Sequence, residues 1–300
     1  MLKIAYHPIF KHNLPLGHRF PMSKYELLHR QLLHEGTCTE ENFFEPGVPL
    51  DEDILAVHDA NYVKQLRELT LDKKAVRKLG FPLTEKLVQR EHLITQGTIT
   101  GAQLALENGI AMNIAGGTHH AYSDHGEAFC LFNDQAIAAS WLLRNKKAEK
   151  ILIVDLDVHQ GNGTAQIFAD EPRVFTFSMH GAGNYPFRKE KSDLDIELAD
   201  GTTDHEFLSI LSDQLPKLID SEKPEFIFYL SGVDIIESDK LGRLSCSVAG
   251  CRKRDEFVLS SCKEQGIPVQ VSMGGGYSPE IKTIINCHAN TYRAAQEIYF

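Results

Sequence analysis

No uninterrupted apolar stretch of the roughly 18 residues that cross a bilayer occurs in this chain of 300 residues, so no membrane-spanning helix is expected. The opening Met1-Leu2-Lys3-Ile4-Ala5-Tyr6-His7-Pro8 lacks the apolar core of a secretion signal and reads as a first strand. No block of lysine or arginine stands out, and 41 acidic against 31 basic residues leave a net charge of −10. That balance argues against a nucleic-acid footprint. It would mildly favour a cationic substrate through long-range steering. None of the six cysteines (Cys38, Cys130, Cys246, Cys251, Cys262 and Cys287) belongs to a C-x-x-C pair. Scattered in this way they read as reduced thiols, the pattern of a cytoplasmic protein. Gly/Ser-rich linkers, low-complexity tracts and internal repeats are also missing, so one domain over residues 1–300 is expected. The sequence does not speak to oligomeric state.

What is present is an alternation of short apolar runs with longer amphipathic stretches. Strands are expected at Leu2–Tyr6, Ile110–Ala115, Ile151–Val154, Val174–Ser178, Phe226–Leu230 and Pro268–Met273. Ile151 to Val154 is apolar at both parities, as in a parallel strand covered on both faces. Helices are expected at Ser23–His34, Asp51–Glu68, Asp134–Leu143, Asp204–Leu218 and Ala249–Glu264, where apolar residues recur at three and four positions. This β-α alternation predicts an α/β protein with a doubly wound, mostly parallel sheet. Residues 181–203 read as a long functional loop.

The reactive residues cluster after the expected strands. Gly116-Gly117-Thr118-His119-His120-Ala121 carries a tandem histidine. Asp155-Leu156-Asp157-Val158-His159-Gln160-Gly161-Asn162-Gly163 follows one apolar run, and Ser231-Gly232-Val233-Asp234 follows another. In open α/β sheets ligands bind beyond the carboxyl ends of the strands, so independent strands deliver these groups to one edge. With an extended chain through 155–159, Asp155, Asp157 and His159 share one side. Asp157, His159 and Asp234 then supply three N/O ligands and leave a position open, the layout of a catalytic metal site. A lone Asp-x-His is as often a helix cap or a packed pair, but the tandem histidine and second aspartate shift the balance to a metal-dependent hydrolase.

These segments, with Ala128-Phe129-Cys130-Leu131-Phe132-Asn133-Asp134 and Met273-Gly274-Gly275-Gly276-Tyr277, resemble in identity and order those of the histone deacetylase superfamily, which includes acetylpolyamine amidohydrolases and acetoin-utilisation proteins. The resemblance runs from about residue 4 to the end. The compact length and Leu16-Gly17-His18-Arg19-Phe20-Pro21-Met22 look closest to bacterial and class IV-like members. It implies the arginase-like three-layer α/β/α sandwich and a zinc-dependent deacylase acting on an acyl-lysine, most simply acetyl-lysine, or on an acylated small amine.

By that resemblance Asp157, His159 and Asp234 hold Zn2+, with Fe2+ a possible substitute because the donor set selects weakly between them. His119 and His120 are the acid/base pair, and Tyr277 donates to the developing oxyanion. Asp155 supports the first histidine and Asn162 the second. Many relatives carry Asp in place of Asn162, and a neutral amide stabilises an imidazolium less, so a lower His120 pKa is expected here. Asp155 and Ser178 match a K+ site. Phe129, Phe187 and Gly275 match the substrate tunnel, Arg19 an arginine of an internal cavity, and Cys130 a packing residue beside the site. Ala128 departs from the usual glycine before the tunnel phenylalanine. No aspartate near Gly80-Phe81-Pro82 matches the one that several relatives use to hold a peptide backbone. An arginase-like reading is disfavoured, since that family carries Asp-x-His-x-Asp for two manganese ions whereas this chain has Asp-x-Asp-x-His. A silent acyl-lysine binding module is the remaining alternative.

Overall fold

A computed structural model describes all of residues 1–300. Eight strands form one sheet: β1 Lys3–Ala5, β2 Phe43–Phe44, β3 Ile110–Asn113, β4 Ile151–Asp155, β5 Val174–Gly181, β6 Leu194–Leu198, β7 Phe226–Leu230 and β8 Val269–Ser272. Their order is β2-β1-β3-β8-β7-β4-β5-β6, and every pairing is parallel. Every residue of β3, β4, β7 and β8 is buried, as the doubly apolar run at Ile151 predicts.

Ten helices flank the sheet: α1 Lys24–His34, α2 Asp51–Leu55, α3 Ala60–Arg67, α4 Lys73–Leu79, α5 Glu85–Asn108, α6 Asp134–Arg144, α7 Asn162–Phe168, α8 Asp204–Glu222, α9 Val248–Glu264 and α10 Ile281–Tyr299. The result is a three-layer α/β/α sandwich. α5 lies over β1, β3 and β8 and packs against α6, while α1, α10, α9 and α8 pack side by side. Helix ends follow from local chemistry. Thr84 Oγ1 accepts from Leu87 N at the start of α5, and Gly109, left-handed at φ 80°, ends it.

Four expectations need correction. Asp51–Glu68 is two helices, because the chain turns at His58-Asp59 and Asp59 caps the second through Asn61 N and Tyr62 N. The loop expected at 181–203 contains the edge strand β6, whose Leu194, Ile196 and Leu198 alternate with acidic residues. α5 and α10 were absent from the sequence expectations. β4 stops at Asp155, and 156–159 form a bend in which Asp155 Oδ1 accepts from Asp157 N and Asp157 Oδ1 from His159 N. Those side-chain turns, rather than a continued strand, aim the polar groups together.

Candidate metal centre

The carboxyl ends of β3, β4, β7 and β8 deliver loops to one place. The loop after β3 is tied down by Asp134 at the start of α6, which accepts from Thr118 N at 2.9 Å and Thr118 Oγ1 at 2.7 Å. A Cβ on Gly116 would lie 2.3 Å from that carboxylate, and the residue sits at φ +80°, so glycine is required there. His119 and His120 follow, fully buried, with ring centroids 4.1 Å apart.

Asp157, His159 and Asp234 come together with candidate ligand atoms within 4.8 Å of one another. His159 Nδ1 is 2.9 Å from Asp157 Oδ1 and 3.2 Å from Asp234 Oδ2. Asp234 Oδ1 accepts from Val158 N, but the fully buried Oδ2 has no hydrogen-bond partner. A buried carboxylate oxygen left in this way is costly unless a cation completes it. Two glycines make room for the carboxylates. A Cβ on Gly232 would lie 2.2 Å from Asp157 Oδ2, and one on Gly275 2.0 Å from Asp234 Oδ2. One oxygen without a partner, a convergent imidazole and side-chain-free walls fit a small divalent ion with N/O preference.

Without an ion the three ligands shift one another. Burial and Asp157 push the Asp234 carboxyl up to about 7. Burial opposes charge on His159, yet its bond to Asp157 and the nearby Asp234 carboxylate push it up to about 10.

The tandem histidines differ. His119 Nδ1 bonds Asp155 Oδ2 at 2.6 Å. Burial disfavours its charge, but the carboxylate prevails and the pKa rises. His120 Nδ1 bonds Asn162 Oδ1 at 2.6 Å, and burial, then His119 and His159, hold its pKa well below 6.5. Tyr277 is 6.4 Å from His159 between ring centroids. Burial and the nearby carboxylates push its phenol well above 10, so it remains a donor. Asp155, at the end of β4, and Ser178, within β5, are cross-strand partners, but Ser178 Oγ bonds His180 Nδ1 at 2.9 Å.

Two connected spaces serve these groups. An inner cavity of about 40 Å³ is lined by His119, His120, Asp157, His159, Gly275 and Tyr277 among others. An outer mouth of about 550 Å³ reaches His120, His159 and Tyr277 from solvent. Phe129 lines both, its ring 5.1 Å from those of Phe20 and Phe81. Ala128 and Phe129 sit at φ +46° and +72°, a left-handed backbone that suits glycine; alanine at 128 costs roughly 1 kcal/mol. Phe187 is not a tunnel wall: it is 86% exposed at the outer rim. Tyr185 stands inside instead, edge-on to His120 at 5.1 Å, because its hydroxyl donates to the buried Glu127. Arg19 is likewise at the mouth, its guanidinium 5.0 Å over the Phe129 ring, and the arginine lining the inner cavity is Arg90.

Sequence reasoning missed three buried charges. The Lys24 ammonium donates to Gly274 O at 3.0 Å and lies 5.6 Å from the Tyr277 ring; burial lowers its pKa to about 8. Arg254 donates to Leu156 O, Ser231 O and Gly232 O, clamping the loops that carry Asp157 and Asp234. Glu127 accepts from Asn162. A charged residue immediately before the apolar Ala128-Phe129-Cys130 run was a signal for Glu127; Lys24 and Arg254 sit in ordinary helices and had none.

A family model described as the histone deacetylase domain matches residues 18–293. The chain belongs to the histone deacetylase family. Histone deacetylase 2 of Arabidopsis thaliana is 31% identical over 277 residues, covering 89% of this chain and 72% of that one. An uncharacterized protein of Picosynechococcus sp. is 44% identical and covers 99% of each chain. The acetoin utilization protein AcuC of Staphylococcus aureus is 27% identical, covering 87% of this chain and 73% of its own. The crystal structure of the HDA15 HD domain superposes with TM-score 0.82 at 18% identity, covering 99% of this chain and 88% of that one, a likeness of fold. Membership of the histone deacetylase family implies a deacylating hydrolase.

Proposed function

We propose that this histone deacetylase-family chain is a zinc-dependent deacylase that hydrolyses the amide of an acyl-lysine, most simply acetyl-lysine. One observation carries the reading: Asp157, His159 and Asp234 converge beside His119, His120 and Tyr277 at the base of a single narrow space. Zinc bound by Asp157 Oδ, His159 Nδ1 and Asp234 Oδ2 would supply Lewis acidity for the acyl carbonyl and for water. Iron(II) would suit the same donors.

The protein's own residues do the rest. His120, neutral at pH 7 with Nε2 free of any bond in the protein, takes the proton from water and passes it to the leaving amine. His119, whose charged form Asp155 favours, stabilises negative charge beside it. Tyr277 donates to the oxygen that becomes an oxyanion. Phe129 and Tyr185 wall the path of the acyl-lysine stem and exclude water. A structural K+ near Asp155 and Ser178 belongs to the same proposal, on family resemblance.

The acetylpolyamine alternative is opposed by the mouth, where Arg19, Lys78, Lys240 and Arg243 are the charged lining residues and no carboxylate appears. Six buried, unbridged cysteines favour a reducing compartment such as the cytoplasm. The test is a zinc-replete assay across acetyl-lysine, longer acyl-lysine and acetylpolyamine substrates, with His120→Ala as blank. Hydrolysis of an acyl-lysine that the blank lacks is expected. Tight binding of acyl-peptide without turnover, or turnover of acetylpolyamines alone, overturns the reading.

A further inference from the structure

His120 is bonded to an amide, and an amide has two unlike ends. Asn162 can offer His120 its oxygen or its NH2 group, and the choice decides which ring nitrogen carries the proton. Offered the oxygen, neutral His120 must hold its proton on Nδ1 and present Nε2 as a lone pair. Offered the NH2 group, it must hold the proton on Nε2, and the base is lost.

Asn162 cannot settle this alone. The groups behind it can. Its far end is 2.7 Å from Glu127 Oε1 and 3.0 Å from the Tyr122 hydroxyl. Glu127 is 3% exposed, and the Tyr185 hydroxyl and the Lys78 ammonium also donate to it. A carboxylate so surrounded is ionised and accepts only. The Tyr122 hydroxyl donates to Glu190 Oε1 at 3.2 Å, so it too must accept from Asn162. Both contacts require the NH2 group, which leaves Oδ1 for His120.

We propose that Glu127 is a positioning residue: by fixing the Asn162 amide it fixes the tautomer of His120. The carboxylate thus acts on His120 at one remove, with the Asn162 amide as its intermediary. The inference rests on the deacylase reading for its consequence in rate, but not for its consequence in structure.

The test moves the carboxylate. Glu127→Leu removes the acceptor and frees Asn162 to rotate. The double variant Glu127→Leu/Asn162→Asp restores a carboxylate at unchanged net charge, directly against His120. Long-range 1H–15N correlation spectra of metal-free protein at pH 7.5 report which nitrogen of His120 is protonated, and melting curves confirm that each variant is folded. Wild type should show the Nδ1–H form alone, Glu127→Leu a population protonated at Nε2, and the double variant Nδ1–H again. On an acetyl-lysine peptide with zinc, kcat should fall at least about tenfold in Glu127→Leu and recover in the double variant, whatever KM does through the loss of the Tyr185 contact. The tautomer arm decides the inference even if no acyl-lysine is hydrolysed. An unchanged tautomer in folded Glu127→Leu overturns it, as does a wild type protonated at Nε2. A folded double variant that regains neither tautomer nor rate also overturns it.

Discussion

A methyl group on Gly275 would lie 2.0 Å from Asp234 Oδ2 and 2.7 Å from Asp157 Oδ2, and its own N–H donates to that Asp157 oxygen at 2.8 Å. Asp234 cannot retreat, since its other oxygen is held by Val158 N. Gly275→Ala should therefore leave a folded protein whose zinc affinity, read by chelator competition, falls at least about tenfold, the scale on which disturbed ligand support is felt. Wild-type affinity in the variant would refute this placement of the ligands. Glu127 gives a pH-dependent expectation. Burial alone would raise its pKa, but the surrounding donors outweigh it and hold the carboxyl far below the usual 4.5. A carboxyl depressed on folding stabilises the protein fully above its unfolded value, and that contribution fades as pH falls toward the folded one. Glu127→Gln should cost about 1–3 kcal/mol at pH 7. The gap in melting temperature from wild type should stay constant from pH 8 to 5 and narrow below about pH 4.5. A gap that widens in acid would contradict the assignment.

Element by element, legibility followed burial and local spacing. β3, β4, β7 and β8 were readable because strands buried on both faces are apolar throughout, and the reactive residues were readable because each lies just past such a strand. α5 was hidden by its own interior, Gly97-Thr98-Ile99-Thr100-Gly101, which is poor in helix propensity. Its reason is packing. A Cβ on Gly97 would come 2.9 Å from Ala5 Cβ in β1 and 2.9 Å from Asn113 Nδ2 in β3, whereas one on Gly101 would come no nearer than 3.3 Å to anything, the Cγ of Gln270. The two glycines should therefore respond oppositely to alanine. Gly97→Ala should lower the melting temperature, overpacking of about 1–3 kcal/mol exceeding a propensity gain of about 1 kcal/mol. Gly101→Ala should be neutral or stabilising. Equal effects of the two substitutions would mean that the helix does not sit this close to the sheet. Glu127, Lys24 and Arg254 escaped for a related reason: their partners are brought together by tertiary packing, and spacing along the chain carries no trace of it.

At the scale of the whole molecule, net charge and local charge point in opposite directions. The chain carries −10, which by itself would steer cations toward it. The mouth does the reverse, because Arg19, Lys78, Lys240 and Arg243 line it without an acidic neighbour on the lining. Lys78 is paired with Glu127 and Arg243 with Asp200, so Arg19 and Lys240 remain as uncompensated charges. A substrate within a Debye length, about 10 Å at 0.1 M salt, feels those two more than the distant acidic surface. Acetyl-lysine peptides flanked by Asp or Glu should thus be hydrolysed with kcat/KM several-fold above peptides flanked by Lys or Arg, mainly through KM and at low ionic strength. Raising salt to about 0.5 M should flatten the preference, since screening acts on exposed charges. The double reversal Arg19→Glu/Lys240→Glu should invert it while leaving kcat on a neutral peptide within about twofold, because neither side chain reaches the inner cavity. Equal kcat/KM for acidic and basic flanks at low salt would show that the mouth does not select by charge, and a histone-like basic tail would then be as good a substrate as any.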